Sequence, residues 1–246
     1  MENEFDPRPT QRMGAGVNAA SVSVPRATRD VGLRSYMLSV YNYMASGVLL
    51  TGIVAMLFAS SGYAEQVMAT PLRWLIILAP LGFVMAMSFG LNRMSTGTLQ
   101  TLFWSFAVAM GLSLSTIFLV YTGVSIAQTF FAVSAGFAGL SLWGYTTKKD
   151  LSGFGTFLIM GVVDLFIAML INLFLQSTAM HLAISAIGVL IFAGLTAYDT
   201  QRIKSMYDQV AGSDMMGKVV IMGALNLYLD FINMFQFLLS FMGNRE

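Results

Sequence analysis

The run Val219–Met242, VVIMGALNLYLDFINMFQFLLSFM, is apolar almost from end to end and carries an aspartate, Asp230, in its middle. About twenty apolar residues, rising about 1.5 Å each in a helix, cross the roughly 30 Å of a bilayer's hydrocarbon. A carboxylate inside such a run is expensive unless something pairs with it or holds a proton on it. The run therefore reads as a transmembrane helix whose polar group demands a partner. Gly223, Asn226, Asp230 and Asn233 recur at steps of three and four and so line one face. In lipid such a face turns toward other helices or a wet cavity, because acyl chains leave its polar groups unsatisfied.

Composition extends this reading to the whole chain. Of 246 residues, 57% are hydrophobic and 10% charged, far from the balance of a soluble domain. Seven runs are long enough to span: Tyr36–Ser60, Leu72–Leu91, Leu99–Tyr121, Ile126–Tyr145, Phe154–Leu175, Met180–Asp199 and Val219–Met242. The expected fold class is an all-α membrane protein of seven transmembrane helices, with one compact domain over 35–246. Residues 1–34 are polar, rich in Pro, Gly and Ser, and lack the apolar centre of a signal peptide, so they read as a disordered cytoplasmic tail. Trp74, Trp104, Trp143, Tyr63 and Tyr145 fall near span ends, as an interfacial belt requires.

Charge placement predicts an orientation. With the N-terminus inside, Arg8, Arg12, Arg26, Arg29, Arg34, Arg93, Lys148, Lys149, Arg202, Lys204 and Lys218 are all cytoplasmic, leaving Arg73 and Arg245 outside. Eleven of the 13 basic residues then obey the positive-inside rule, and seven crossings put the C-terminus outside. A net charge of +1 gives no reason to expect a nucleic acid partner. The absence of cysteine excludes disulfides and thiolate metal sites.

Nine of the twelve acidic residues lie in tails, loops or chain ends; Asp164, Asp199 and Asp230 lie within or at the edge of spans. Asp199 closes the sixth span in GLTAYDTQRIK (Gly194–Lys204), one or two turns inside the cytoplasmic boundary. Asp230 lies on a helix running the opposite way, about 12 Å beyond a boundary near Met222. The two depths match. Plainer readings exist for each residue: Asp199 as an interfacial carboxylate bonded to Arg202, Asp230 as helix-packing glue, Asp164 as a carboxyl satisfied by Asn172 or a neighbouring helix, and His181 as an interfacial residue.

Three segments, GYTTKKDLSGFGTFLIMG (Gly144–Gly161), YDTQRIK after the sixth span and LNLYLDFINMF in the seventh, together resemble the Bax inhibitor-1, or transmembrane Bax inhibitor motif, family over most of Arg34–Met242. The resemblance implies a last helix set centrally among the other six. It also implies a pH-sensitive calcium leak channel of a bacterial inner membrane, whose pore is closed by aspartates of the sixth and seventh helices. On matching positions that pair is Asp199 and Asp230. The family's arginine at the cytoplasmic end of the second helix, a gating partner, matches Arg93. Asp164 matches no family motif and is an additional candidate ion or proton ligand.

Physical chemistry supports a pair of this kind on its own terms. Two carboxyls in contact at low dielectric cannot both ionise cheaply, so one proton is shared and acts as a latch. Losing it leaves two repelling charges that helix separation, Arg93 or a divalent cation would relieve. Calcium accepts flexible oxygen ligands, and Asp199 and Asp230 with Asn226, Asn233 and water supply enough for a weak site that lets ions leave. No cofactor is expected, only calcium as a permeant or weakly bound ion; the partners are the bilayer, calcium and protons. Protons lock the pair yet also compete with calcium, two effects of opposite sign.

Other classes fit less well. A retinal protein needs a lysine buried in the last helix, and Lys218 stands only at its start. An aspartyl intramembrane protease would pair AYDT with a Gly-x-Gly-Asp, and LYLD stands in its place. An enzyme is therefore not expected. The main alternative is a membrane-embedded regulatory protein that modulates a protease or a stress response through membrane protein partners.

Overall fold

The computed structural model describes residues 26–244, and the regular structure among them is helical throughout: α1 (Arg26–Ser60), α2 (Tyr63–Met68), α3 (Leu72–Gly90), α4 (Thr96–Leu114), α5 (Ile117–Val120), α6 (Gly123–Thr146), α7 (Ser152–Leu175), α8 (Thr178–Val210) and α9 (Met215–Met242). Seven of these segments are long and apolar enough to cross a bilayer, with α4 and α5 making one crossing over Thr96–Val120. The chain is an all-α membrane protein with seven spans.

Four boundaries differ from expectation, the largest at the sixth span, where α8 runs on to Val210 instead of ending at Asp199. Helix α1 starts at Arg26, so 26–34 belong to the first helix; the rest of the expected tail, 1–25, lies outside the described residues. There Arg29 forms a two-pronged ion pair with Asp208 near the end of α8, its Nε donating to Oδ1 at 2.7 Å. The third crossing breaks at Ser115 and Thr116, whose hydroxyls donate to the carbonyls of Leu112 and Ser113 and compete with the helical ladder. The connection after α1 holds a short helix, α2.

Side-chain caps set several entrances: Ser95 accepts from Thr98 N–H, Thr122 from Ser125 N–H and Ser177 from Met180 N–H. Between α7 and α8 only two residues intervene. Gln176 turns the chain in the left-handed region at φ 51°, and Asn172 Oδ1 accepts from Ser177 N–H at 3.0 Å. Asn172 is thus used by the turn and does not serve Asp164.

Helix α9 is the most enclosed span, 61% buried over its most apolar window against 11% for α3 and α7, and it packs on α1, α4, α6 and α8. A last helix surrounded by all six others goes further than these contacts do. Apolar side chains fill the space around it, among them Phe103, Phe106, Leu225, Leu227, Phe231 and Leu239. Trp74 and Trp143 are exposed on the outer surface as a belt requires, whereas Trp104 turns inward against Tyr43 and Phe103.

Candidate functional site

Helices α8 and α9 run antiparallel, and four contacts fix their register. Ile203 lies against Gly223, Asp199 meets Asp230, Phe237 covers Gly188, and Ser185 donates to Ser240. The α9 face read from the sequence as polar therefore faces α8. Gly223 matters because Ile203 already stands 3.3 Å from where a Cβ would be.

The residues around Asp199 hold α8 to the two helices before it. Gly144 lets α6 approach so closely that a Cβ there would stand 2.9 Å from the Cα of Ala197. The ring of Tyr198 lies over Gly155 of α7, where a Cβ would collide with it. Gln201 clamps the α6–α7 connection with both ends of its amide, accepting from Leu151 N–H at 2.9 Å and donating to the Lys149 carbonyl at 2.8 Å. Lys204 donates to the Tyr145 carbonyl and sits over the Tyr145 ring. Thr200 gives its proton to the Thr196 carbonyl, so Ser141 donates to Thr200 at 2.8 Å and Tyr41 donates to Ser141. This hydroxyl chain joins α1, α6 and α8 directly beside Asp199.

Asp230 is held from the other side. Thr51 of α1 donates to the Ala107 carbonyl of α4 at 2.8 Å, which leaves its oxygen to accept from Tyr228 at 2.6 Å. Edge-to-face rings of Phe103 and Phe106 close on Tyr228, and Phe231 packs on Phe130 and Phe137. One turn of α9 is thereby fixed against three helices.

Asp230 is 4% exposed and Asp199 half-buried, and their carboxyls face each other within reach of a side-chain hydrogen bond. Two ionised carboxylates offer only acceptors, so a hydrogen bond between them would require a proton on one. Asp230 Oδ2 is enclosed and has no donor among the described residues, which makes it the atom the shared proton would satisfy. The cation whose charge reaches Asp199 is Arg202, one turn on and exposed.

Two cavities that carry polar side chains lie toward opposite ends of α8, the larger of them mainly apolar, and neither is lined by Asp199 or Asp230. At the end of the bundle bearing the C-terminus, a cavity of about 600 Å³ is lined by Asn172, His181, Ser185, Asn233, Gln236 and Ser240. At the basic end, one of about 320 Å³ is lined by Lys148, Lys149, Asp150, Tyr198, Gln201 and Arg202. Asn233, three residues past Asp230, donates to the Leu229 carbonyl and lines the larger cavity. Asn226 is half-buried on the same face. His181 lines that cavity and hydrogen-bonds Ser240 at 2.8 Å.

Two candidates stand apart. Arg93 is exposed in the turn between α3 and α4, with its backbone N–H bonded to Gly90, and the structure does not bring it to the pair. Asp164 is exposed on the outer face of α7. The supporting residues Gln201, Thr200, Ser141, Thr51 and Tyr228 were not singled out from the sequence, where an isolated hydroxyl or amide carries no signal. A cation at the pair would meet two carboxylates, since no cluster of three or more His, Asp or Glu side chains forms among the described residues.

Residues 33–246 match the family described as inhibitor of apoptosis-promoting Bax1. The chain is 50% identical over 221 residues to the uncharacterized protein RP147 of Rickettsia prowazekii, covering 89% of this chain and 93% of the relative. It is 44% identical over 230 residues to the inner membrane protein YbhL of Escherichia coli K12, covering 92% and 97%. An uncharacterized membrane protein of Streptococcus pyogenes, SpyM3_0260, is 34% identical over 221 residues, covering 88% and 96%. None of these names is that of an enzyme. With a matched region that takes in all seven spans and the Asp199–Asp230 pair, the chain belongs to the Bax inhibitor family of membrane proteins.

Proposed function

We propose that this protein is a pH-sensitive cation leak channel, with calcium as the favoured ion, gated where Asp199 of α8 meets Asp230 of α9. The observation that carries the reading is the meeting of two carboxyls between α8 and α9, one of them enclosed, with a cavity bearing polar side chains toward either end of the bundle. An ion moving from the larger cavity past Asn233 meets the pair next. While one proton joins the carboxyls, α8 and α9 stay together and the cavities stay separate. Removing it leaves two like charges at low dielectric, and the helices part or admit a divalent cation.

The sign of the pH response follows from where the pair sits. Neither cavity reaches it in the closed arrangement, so protons act first as the latch and only afterwards as competitors of calcium. Flux rises as pH rises. Two carboxylates with Asn226, Asn233 and water make a weak site, suited to release. Arg202, whose charge already reaches Asp199, is the cation suited to steady the opened pair. Arg93 would have to move to take part. The basic end, with Arg93, Lys148, Lys149 and Arg202, faces the cytoplasm in this reading, in a bacterial inner membrane like that named for the YbhL relative.

Calcium flux into liposomes holding only the purified protein tests this. Wild type should conduct with a rate that climbs with pH, and Asp199→Asn and Asp230→Asn should each flatten that climb by removing one ionisation. No flux at any pH would replace the channel with the regulatory-protein reading. A wild-type curve flat in pH would remove the latch.

A further inference from the structure

Asp164 is an acidic residue in the middle of a span that the pair leaves unused. It lies near the middle of α7, about 18 Å along the helix from Ser152 and about 16 Å from Leu175. That span has a mean hydropathy of 2.5, the highest of the seven. Its surroundings on the outer face are exposed and apolar, with Met160 64%, Phe157 67% and Ile187 51% exposed. No hydrogen bond or ion pair from a described residue reaches the Asp164 carboxyl. A carboxyl turned toward acyl chains at that depth is the costliest position a bilayer offers, and it is resolved when another protein surface brings a donor to it.

The surface around Asp164 is shaped for a helix. A groove of about 380 Å³ runs between α7 and α8, lined by Gly161, Asp164 and Ala168 along one edge and by Ile184, Ile187 and Ile191 along the other. Gly161 and Ala168 flank Asp164 one turn away on either side, so a neighbouring backbone can come close on both sides of the carboxyl. No Lys, Arg, His or second acid lines the groove, so this chain supplies no cation to answer it.

We propose that this face of α7 is the seam of a parallel two-fold dimer of the chain, in which the Asp164 carboxyls of two copies meet and hydrogen-bond through a proton. A two-fold axis along the membrane normal brings each residue to its own depth in the partner. A carboxyl at the span centre therefore finds its counterpart with no adjustment of register. The contact is incomplete without the second copy, since the donor each Asp164 lacks is the other's proton. It involves neither α9 nor the Asp199–Asp230 pair and does not depend on the channel reading.

Because the chain contains no cysteine, single substitutions report proximity cleanly. The full-length protein in liposomes at low protein density is oxidised after Met160→Cys or Ala168→Cys, with Leu49→Cys on the exposed side of α1 as control. Covalent dimer should form several-fold more from the first two. In a dilution series followed by single-molecule photobleaching, Asp164→Asn keeps a hydrogen-bonding group and should still dimerise. Asp164→Leu, better suited to lipid and no threat to folding, should weaken the dimer about tenfold, the scale of one hydrogen bond between helices in lipid. Equal cross-linking at all three positions, or an Asp164→Leu protein that dimerises like wild type, overturns the proposal. Cross-links from Met160→Cys to a different protein in native membranes, with monomers alone in liposomes, would give the face to a foreign helix and equally overturn it.

Discussion

At the scale of single residues, the buried polar side chains of the site are satisfied one by one, with Asp230 the exception among the described residues. Tyr228 ends its proton on Thr51, and Thr51 ends its own on the Ala107 carbonyl, so a chain of two hydrogen bonds ties α9 to α1 and α4 with nothing left over. Thr51→Val removes the acceptor and strands the Tyr228 hydroxyl in a fully buried position. Thermal or denaturant unfolding in detergent should show a loss of about 1–3 kcal/mol. The Arg29–Asp208 pair is different in kind, being roughly half exposed on both sides. Arg29→Ala should cost under about 1 kcal/mol and lose that effect at high salt, which the same unfolding assay run at two ionic strengths would read. Against these satisfied groups Asp230 Oδ2 stands out, enclosed and lacking a donor.

At the scale of helices, two of the three segments that carry the family resemblance turn out to be the surfaces that dock α6, α7 and α8, and the third lies on α9. Gly144 and Gly155 are narrow points where α8 comes nearest, and Gln201 and Lys204 lock the connection between α6 and α7 onto α8. Gly144→Ala drives a methyl into the backbone at Ala197, two residues before Asp199, and neither backbone can yield alone. A destabilisation of about 1–3 kcal/mol is expected, and a shifted α8 should alter flux even though no charged group has changed. Gln201→Ala releases Lys149 and Leu151, and amide hydrogen exchange in that connection should speed up while α9 stays protected.

What could be read from the chain divides along the same line. The seven spans were legible because hydropathy over about twenty residues is a strong signal, and Asp199 and Asp230 were legible because carboxylates within such runs are rare. The stripe of Gly223, Asn226 and Asn233 was legible from helical spacing, and it does face α8. The break at Ser115 was not, since a serine that competes for a carbonyl looks like any other in sequence. Nor were Thr51, Ser141, Thr200 and Gln201, whose partners lie 50 or more residues away and exist only once the helices are packed. Arg93 was legible as a cation at a span end, a position charge bias alone fills, and its exposed turn keeps it from the pair.

At the scale of the molecule, α9 is held on several sides while α3 and α7 lie mostly bare, so movement that opens a path along α8 and α9 has to be shared with the helices docked on them. The proposed gate rests on one proton shared by Asp199 and Asp230 where α8 meets α9. Infrared difference spectroscopy of the protein in bilayers, wild type against Asp199→Asn and Asp230→Asn, reads that proton directly. The account predicts a protonated-carboxyl band in wild type, over and above any from Asp164, that is lost in Asp230→Asn and moves to a different frequency in Asp199→Asn, where the enclosed Asp230 keeps its proton but faces an amide. A band that neither substitution alters would mean the two aspartates hold no proton between them, and the gate would have to be sought elsewhere.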